Sequence, residues 1–86
     1  MKPVLMFTLN ACPYCQRALS MVEELKENNP EYRKIQITII DEGRQPEIAD
    51  KYDYFYVPTY YVDGVKVHEG AATLDMIKKV LDTAME

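Results

Sequence analysis

The chain has 86 residues, and its hydrophobic (48%) and charged (28%) fractions are ordinary for a globular protein, so we expect one domain over residues 1–86. The net charge is −4, and no cluster of Lys or Arg forms a basic stripe, which argues against a nucleic-acid partner. The first residues contain no long apolar segment and no later run has the length of a membrane span. We therefore expect no signal peptide, no membrane association and a cytoplasmic protein.

The first half of the chain predicts a strand, a helix and a second strand. Val4–Phe7 is an apolar run of strand length, and Pro13 suits the first position of the helix that follows. This helix extends to Asn28, with an apolar stripe at Ala18, Leu19, Val22 and Leu25. From Arg33 to Ile40 the period changes to two, which predicts a strand with one face formed by Ile35, Ile37 and Ile39.

The second half predicts a short helix, a hairpin and a final helix. Pro46 begins the short helix, which extends to about Tyr52. Asp63-Gly64 predicts a two-residue turn between two strands, because these residues tolerate the positive φ angles of such turns. Leu74–Met85 has helical spacing, with Thr73 as its N-cap. The strand–helix–strand unit implies parallel neighbours, so the predicted class is α/β, a four-stranded mixed sheet flanked by three helices.

The two cysteines, Cys12 and Cys15, are separated by two residues and lie at the predicted N-terminus of the first helix. The helix dipole and the free N–H groups there favour an anion, so Cys12 should ionise below the usual thiol pKa of about 8.5. Cys15 lies about one turn further into the helix, in a more buried position. A nucleophilic sulfur with a resolving sulfur behind it suits reversible thiol–disulfide exchange.

A metal site is the other use of such a pair in a reducing compartment. Zinc prefers four ligands, whereas the cysteines and the distant His68 supply only three nitrogen or sulfur groups. We therefore favour redox chemistry and expect no metal site.

Three motifs together resemble the dithiol glutaredoxins, within the wider thioredoxin superfamily. They are Cys12-Pro13-Tyr14-Cys15, Val57-Pro58-Thr59 and Gly70-Ala71. The resemblance spans essentially the whole chain and implies a thioredoxin-like fold with a cis Val57–Pro58 bond and catalysis by Cys12 and Cys15. It also implies a substrate- or glutathione-binding set consisting of Pro13, Tyr14, Tyr56, Val57, Pro58, Gly70, Ala71 and Thr73.

The chain departs from the glutaredoxin pattern at positions that grip glutathione in that family. Leu9 stands where a basic residue is usual, Tyr56 replaces Thr, and Ala71 replaces the second Gly. The acidic residue is shifted or lost, with Thr73-Leu74-Asp75 at its place. The resemblance implies disulfide-bearing proteins as partners and either glutathione or a flavoprotein reductase as electron donor, and the departures favour the reductase. We expect a monomer with no tightly bound cofactor, and glutathione only as a co-substrate.

Five tyrosines lie close to Pro58 in the sequence: Tyr52, Tyr54, Tyr56, Tyr60 and Tyr61. Strands favour Tyr, and alternate members of the set must face the core. Our hypothesis is that Tyr54 or Tyr56 borders the binding surface and gives it an apolar rim.

Two metal-related functions are alternatives to disulfide reduction. Small copper chaperones also place a C-x-x-C motif after a first strand, at the start of a helix. The predicted final helix and the two proline motifs oppose that interpretation. An iron–sulfur cluster carrier is the second alternative, and it fits poorly because such glutaredoxins hold the cluster with glutathione.

Overall fold

The structure, a computed structural model, describes the whole chain from Met1 to Glu86. Its strands are β1 (Val4–Thr8), β2 (Ile37–Asp41), β3 (Thr59–Val62) and β4 (Val65–Glu69). They form one sheet in the spatial order β2-β1-β3-β4. β1 is parallel to β2, and the pairs β1–β3 and β3–β4 are antiparallel. The predicted four-stranded mixed sheet is thus confirmed.

The helices are α1 (Pro13–Asn28), α2 (Pro46–Ala49) and α3 (Leu74–Met85). α1 and α3 pack together on one face of the sheet. Their buried residues, except Cys15, share a single hydrophobic cluster with Val4, Met6, Tyr60 and Val62 of the strands. α2 lies on the other face, where Ala49 packs with Phe7, Ile40 and Tyr61. No helix is both long enough and apolar enough to cross a bilayer.

β1 is covered on both faces, which explains its unbroken apolar sequence. Val4 and Met6 face α1 and α3, whereas Phe7 faces the other side of the sheet. The Phe7 ring lies at the centre of an aromatic cluster, with ring centroids at 4.9 Å from Tyr52, 4.9 Å from Tyr54 and 5.8 Å from Tyr61.

The prediction for the second strand is wrong in its start. Pro30–Lys34 forms a 3-10 helix instead, because Pro30 sets the first turn and the Asn29 side chain accepts a hydrogen bond from the Glu31 N–H. β2 begins only at Ile37, and Ile40 is buried while Ile39 is 49% exposed. β2 is an edge strand, so one of its faces is covered less completely than those of β1.

The local signals in the second half are confirmed, apart from the extent of α2. Asp63 and Gly64 have φ angles of 51° and 82°, as a two-residue hairpin turn requires. The Thr73 hydroxyl accepts a hydrogen bond from the Met76 N–H at 3.3 Å and so caps α3. α2 ends at Ala49, and the Tyr52 N–H then bonds to the Ala49 carbonyl in a tighter turn.

Two tyrosines are buried in the cluster beneath α1 and α3, and their hydroxyl groups differ. The Tyr32 hydroxyl donates a hydrogen bond to Asp82. The Tyr60 hydroxyl is fully buried and has no hydrogen-bond partner. A buried polar group without a partner costs stability, because it has lost its water without replacement.

We therefore expect Tyr60→Phe to raise the free energy of unfolding by about 1 kcal/mol, since it removes an unpartnered hydroxyl and keeps the ring. Tyr32→Phe is the matched control, and it should lower the free energy of unfolding by about 1 kcal/mol because it breaks a hydrogen bond. Urea titration followed by circular dichroism measures both. A loss of stability in Tyr60→Phe would show that its hydroxyl has a partner in solution.

Candidate active site

The turn before α1 places Cys12 at the helix tip. Ala11 has a φ angle of 65°, and the Cys12 N–H donates to the Leu9 carbonyl at 3.2 Å, so the chain reverses directly before the helix. Cys12 is the N-cap residue, and Pro13 follows at the first helical position. Cys12 is half-buried, whereas Cys15, inside the first turn, is 2% exposed.

The helix N-terminus favours the thiolate of Cys12. Desolvation raises the pKa of the Cys12 thiol, but hydrogen bonds from the backbone and thiol of Cys15 and from the Tyr14 N–H outweigh it, so the net pKa is lowered. The charge of Arg17 lowers the pKa further. Tyr14 and Cys15 occupy the second and third helical positions, whose N–H groups are free of intrahelical partners. Cys12 is therefore the more acidic and more accessible thiol.

Cys15 has the opposite character. Burial is the main cause that raises the pKa of the Cys15 thiol to about 11, and the neighbouring Cys12 and the charge of Glu42 add to it against a backbone hydrogen bond with Leu9. Tyr60 lies close enough to Cys15 for the two groups to interact electrostatically. Burial raises the pKa of the Tyr60 phenol, and the charge of an ionised Cys15 raises it further. Cys15 therefore stays protonated until Cys12 has reacted.

Tyr14 and Arg17 are exposed side chains near the N-terminus of α1. The guanidinium carbon of Arg17 lies 5.0 Å from the centre of the Tyr14 ring, a distance that allows a cation–π contact. Tyr14, between the two cysteines, is exposed. Arg17 is thus the cation beside the reactive sulfur.

The sheet brings the second proline motif to the same end of the molecule. Phe7 near the end of β1 pairs with Thr59 at the start of β3, so the loop to Cys12 and the segment before Thr59 leave the sheet together. The Val57–Pro58 peptide bond is cis, which confirms the prediction. The N–H and C=O of Val57 make no hydrogen bond within the chain, so both are available to a bound segment.

Gly70 supports this motif from the hairpin. Its N–H donates to the Pro58 carbonyl at 2.8 Å, and its φ angle of 93° is one that residues with a side chain rarely adopt. A Cβ atom at Gly70 would lie 3.8 Å from the Cβ of Tyr56, so Gly70 and Tyr56 are neighbours. Tyr56, Val57, Pro58 and Gly70, four members of the predicted binding set, therefore lie together.

The remaining predicted binding residues have other surroundings. Thr73 is engaged as the cap of α3, and Ala71 is exposed with its carbonyl 3.3 Å from the His68 ring. His68 also contacts the Gly70 carbonyl at 3.0 Å, so it braces the loop after β4. No group of three or more His, Cys, Asp or Glu side chains is arranged to hold a metal ion.

Several residues around the site carried no signal in the sequence. Glu42 accepts a hydrogen bond from the Tyr54 hydroxyl at 2.9 Å, and Glu69 accepts from two backbone N–H groups in the segment before Val57.

Phe55 is 87% exposed beside Tyr56, which is 70% exposed. Tyr54 is half-buried against Phe7, so of the two tyrosines proposed for the rim it is Tyr56 that projects from it.

Comparison with known proteins agrees with this geometry. The family model described as a thioredoxin domain matches residues 3–82. A protein named "Probable Thioredoxin" from Methanothermobacter thermautotrophicus is 31% identical over 80 residues, which cover 93% of this chain and 92% of that one. The chain belongs to the thioredoxin family.

Two solved structures are similar to this chain in fold. A single-residue mutant of thioredoxin from Halobacterium salinarum is 26% identical, with a TM-score of 0.71 over 99% of this chain and 75% of that one. A protein disulfide oxidoreductase from Aeropyrum pernix is also 26% identical, with a TM-score of 0.65 over 98% of this chain and 38% of that longer one. The fold is thioredoxin-like, and the protein is a thiol–disulfide oxidoreductase of the thioredoxin family.

The two thiols should be separable by their pH dependence. Alkylation by iodoacetamide requires the thiolate, so the rate for Cys12 should rise at lower pH than that of a free cysteine, whereas Cys15, whose pKa is raised to about 11, should react only at higher pH. Arg17→Gln should move the Cys12 curve to higher pH, because it removes a positive charge that favours the thiolate. Peptide mass mapping over pH 5–10 distinguishes the two sulfurs. Equal modification of both at every pH would contradict this assignment.

Proposed function

We propose that this protein reduces disulfide bonds in other proteins, with Cys12 as the nucleophile and Cys15 as the resolving thiol. The Cys12 thiolate attacks one substrate sulfur, forms a mixed disulfide and releases the other substrate sulfur as a thiolate. Cys15 then loses its proton and attacks the Cys12 sulfur. A Cys12–Cys15 disulfide forms, the second substrate thiol leaves, and two electrons have passed to the substrate.

The observation that carries this proposal is the difference between the two sulfurs at one helix tip. The accessible Cys12 has a lowered pKa, so it reacts first, and the buried Cys15 with its raised pKa cannot compete for substrate. The same burial makes the Cys15 attack depend on a mixed disulfide being held beside it. Proximity then favours the intramolecular step over release of the intermediate.

The binding surface follows from the unpaired groups around the cysteines. The free N–H and C=O of Val57 can bond to an extended substrate segment as a short β-pair. The exposed rings of Tyr14, Phe55 and Tyr56 offer apolar contacts on either side. Such a surface suits a polypeptide better than a small charged tripeptide. Pro13, Pro58, Gly70, Ala71 and Thr73 stay in the proposed binding set as shaping residues, the role that the glutaredoxin resemblance implies for them.

We propose a flavoprotein reductase of the thioredoxin-reductase kind as the electron donor. Leu9, exposed beside the site, has no charge with which to hold a glutathione carboxylate. Lys66, a cation of the neighbouring hairpin, is engaged by Glu69 at 2.7 Å. Glutathione is the alternative donor, and Arg17 is the cation that would meet it.

The compartment follows from the chemistry. A dithiol has to be kept reduced, so we place the protein in the cytoplasm. We also propose that it is a monomer without a tightly bound cofactor. The copper-carrier alternative shares the C-x-x-C motif but gives no role to the Val57–Pro58 segment. The Cys-Pro-Tyr-Cys sequence, together with Val57-Pro58-Thr59 and Gly70-Ala71, favours a glutaredoxin-like subtype.

The division of labour predicts different effects of the two serine variants. Cys12→Ser should abolish reduction of every disulfide, because no nucleophile remains. Cys15→Ser should keep the reaction with a glutathione mixed disulfide and lose turnover of insulin, since the intermediate can no longer be resolved within the chain. Single-turnover kinetics with mass detection of the mixed disulfide measures both. Equal loss of all activities in both variants would contradict the assigned roles.

The donor is tested by coupling insulin reduction to two electron sources in parallel. With NADPH and a thioredoxin-reductase-type flavoprotein we expect continuous turnover, and with millimolar glutathione and glutathione reductase only a small fraction of that rate. Arg17→Gln should lower the glutathione-driven rate further. Faster turnover with glutathione than with the flavoprotein would reverse the donor assignment and favour the glutaredoxin-like subtype.

A further inference from the structure

The segment 53–58 connects the turns after α2 to β3 without being part of a helix or strand. Apart from the Pro58 carbonyl, which accepts from the Gly70 N–H, its main-chain groups make no backbone–backbone hydrogen bonds, and side chains of the hairpin bond to several of them instead. The Asp53 carbonyl accepts hydrogen bonds from the Tyr61 hydroxyl at 2.7 Å and from the Lys66 ammonium at 3.2 Å. The Tyr56 carbonyl accepts one from the Thr59 hydroxyl.

Glu69, the last residue of β4, holds the middle of this segment. One of its carboxylate oxygens, Oε2, accepts hydrogen bonds from the Phe55 N–H at 2.6 Å and the Tyr56 N–H at 3.0 Å. The other oxygen, Oε1, accepts one from the Lys66 ammonium at 2.7 Å. The hydrogen bond to Lys66 and those to the two N–H groups lower the pKa of Glu69 to about 2. The carboxylate therefore remains ionised wherever the thiols are reactive.

Besides Glu69, only the Thr59 hydroxyl bonds to the main chain of Phe55 and Tyr56, at the Tyr56 carbonyl. Both side chains project into solvent, and neither backbone N–H has another partner within the chain. These two residues directly precede Val57, whose unpaired N–H and C=O are the proposed pairing groups. The direction in which the binding segment faces therefore depends on a carboxylate 13 residues further along the chain from Tyr56.

We propose that Glu69, assisted by Lys66, is a positioning residue for protein substrates: it fixes the main chain of Phe55 and Tyr56 so that the segment before Pro58 is ready to bind. The inference rests on the proposed function and deepens it. Glu69 forms no hydrogen bond with either cysteine, so it acts on substrate binding and leaves the sulfur chemistry unchanged. A small disulfide that needs only Cys12 should not sense its loss.

The test compares the pre-reduced wild type with Glu69→Ala in single-turnover reactions. The substrates are insulin, a protein disulfide, and 5,5′-dithiobis(2-nitrobenzoic acid), a small one. For insulin, we expect the half-saturating concentration to rise by roughly tenfold, since a preorganised segment must now be ordered on binding. The maximal rate, the rate with the small disulfide and the pH profile of Cys12 alkylation should change by less than about twofold.

Two further variants separate positioning from a general effect of lost charge. Glu31→Ala is the matched control, because Glu31 also pairs with a lysine three residues away, Lys34, but lies on the 3-10 helix. It should leave all these values unchanged. Glu69→Gln retains one oxygen that can accept the two N–H groups, so it should recover part of the insulin affinity.

The outcomes are distinguishable from a failure of the proposed function. If the wild type reduces no insulin, the proposed function is wrong, and that result precedes any variant. If the wild type is active and Glu69→Ala binds insulin as well as it does, the inference is overturned. An equal loss with both disulfides would also overturn it. Should Glu69→Ala fail to fold, Glu69→Gln and Lys66→Met carry the test, and wild-type insulin affinity in both would overturn the proposal.

Discussion

The chemistry of the site depends on the interaction between the Cys12 sulfur and the N-terminus of α1. The N–H groups of the first turn have no partners within the helix, and Cys12 at the N-cap is where their partial positive charge is felt most strongly. Stabilising the thiolate also stabilises the dithiol state over the disulfide, so the same N–H groups influence both the reactivity and the reduction potential. Cys15, one turn further on, loses this advantage because it is buried. A single helix end therefore creates two chemically distinct thiols from identical residues.

The sheet brings Cys12 and the Val57–Pro58 segment to the same end of the molecule. β1 delivers Cys12 and β3 begins just after Pro58, and because the two strands are antiparallel neighbours, the end of one lies beside the start of the other. The hairpin then returns through β4 to place Gly70 against Pro58 and Tyr56. Segments far apart in the chain thus meet at one end of a small sheet. The aromatic rings around Phe7 fill the opposite face and leave Phe55 and Tyr56 to project outwards.

What could be predicted from the sequence is what neighbouring residues decide among themselves. Three predictions depend on a few adjacent residues: the place of Cys12 and Cys15 at the start of α1, the Asp63-Gly64 turn and the Thr73 cap. The structure has all three. The alternation of Ile35, Ile37 and Ile39 does not show that Ile39 is 49% exposed, because burial on an edge strand depends on which helix covers it, and that is a property of the whole fold. Glu69 was missed for a similar reason. A charged residue at the end of a strand looks like a solvated one until its partners, 13 and 14 residues away, are brought to it.

The burial of Cys15 has a consequence for oxidative damage. Peroxide reaches Cys12 first, because Cys12 is the accessible thiol with the lowered pKa. Oxidation there gives a sulfenic acid, which condenses with a neighbouring thiol to a disulfide. With Cys15 in the next turn of the same helix, that condensation competes with further oxidation to the irreversible sulfinic and sulfonic acids. The condensation would return an oxidised Cys12 to the Cys12–Cys15 disulfide that the proposed cycle also forms.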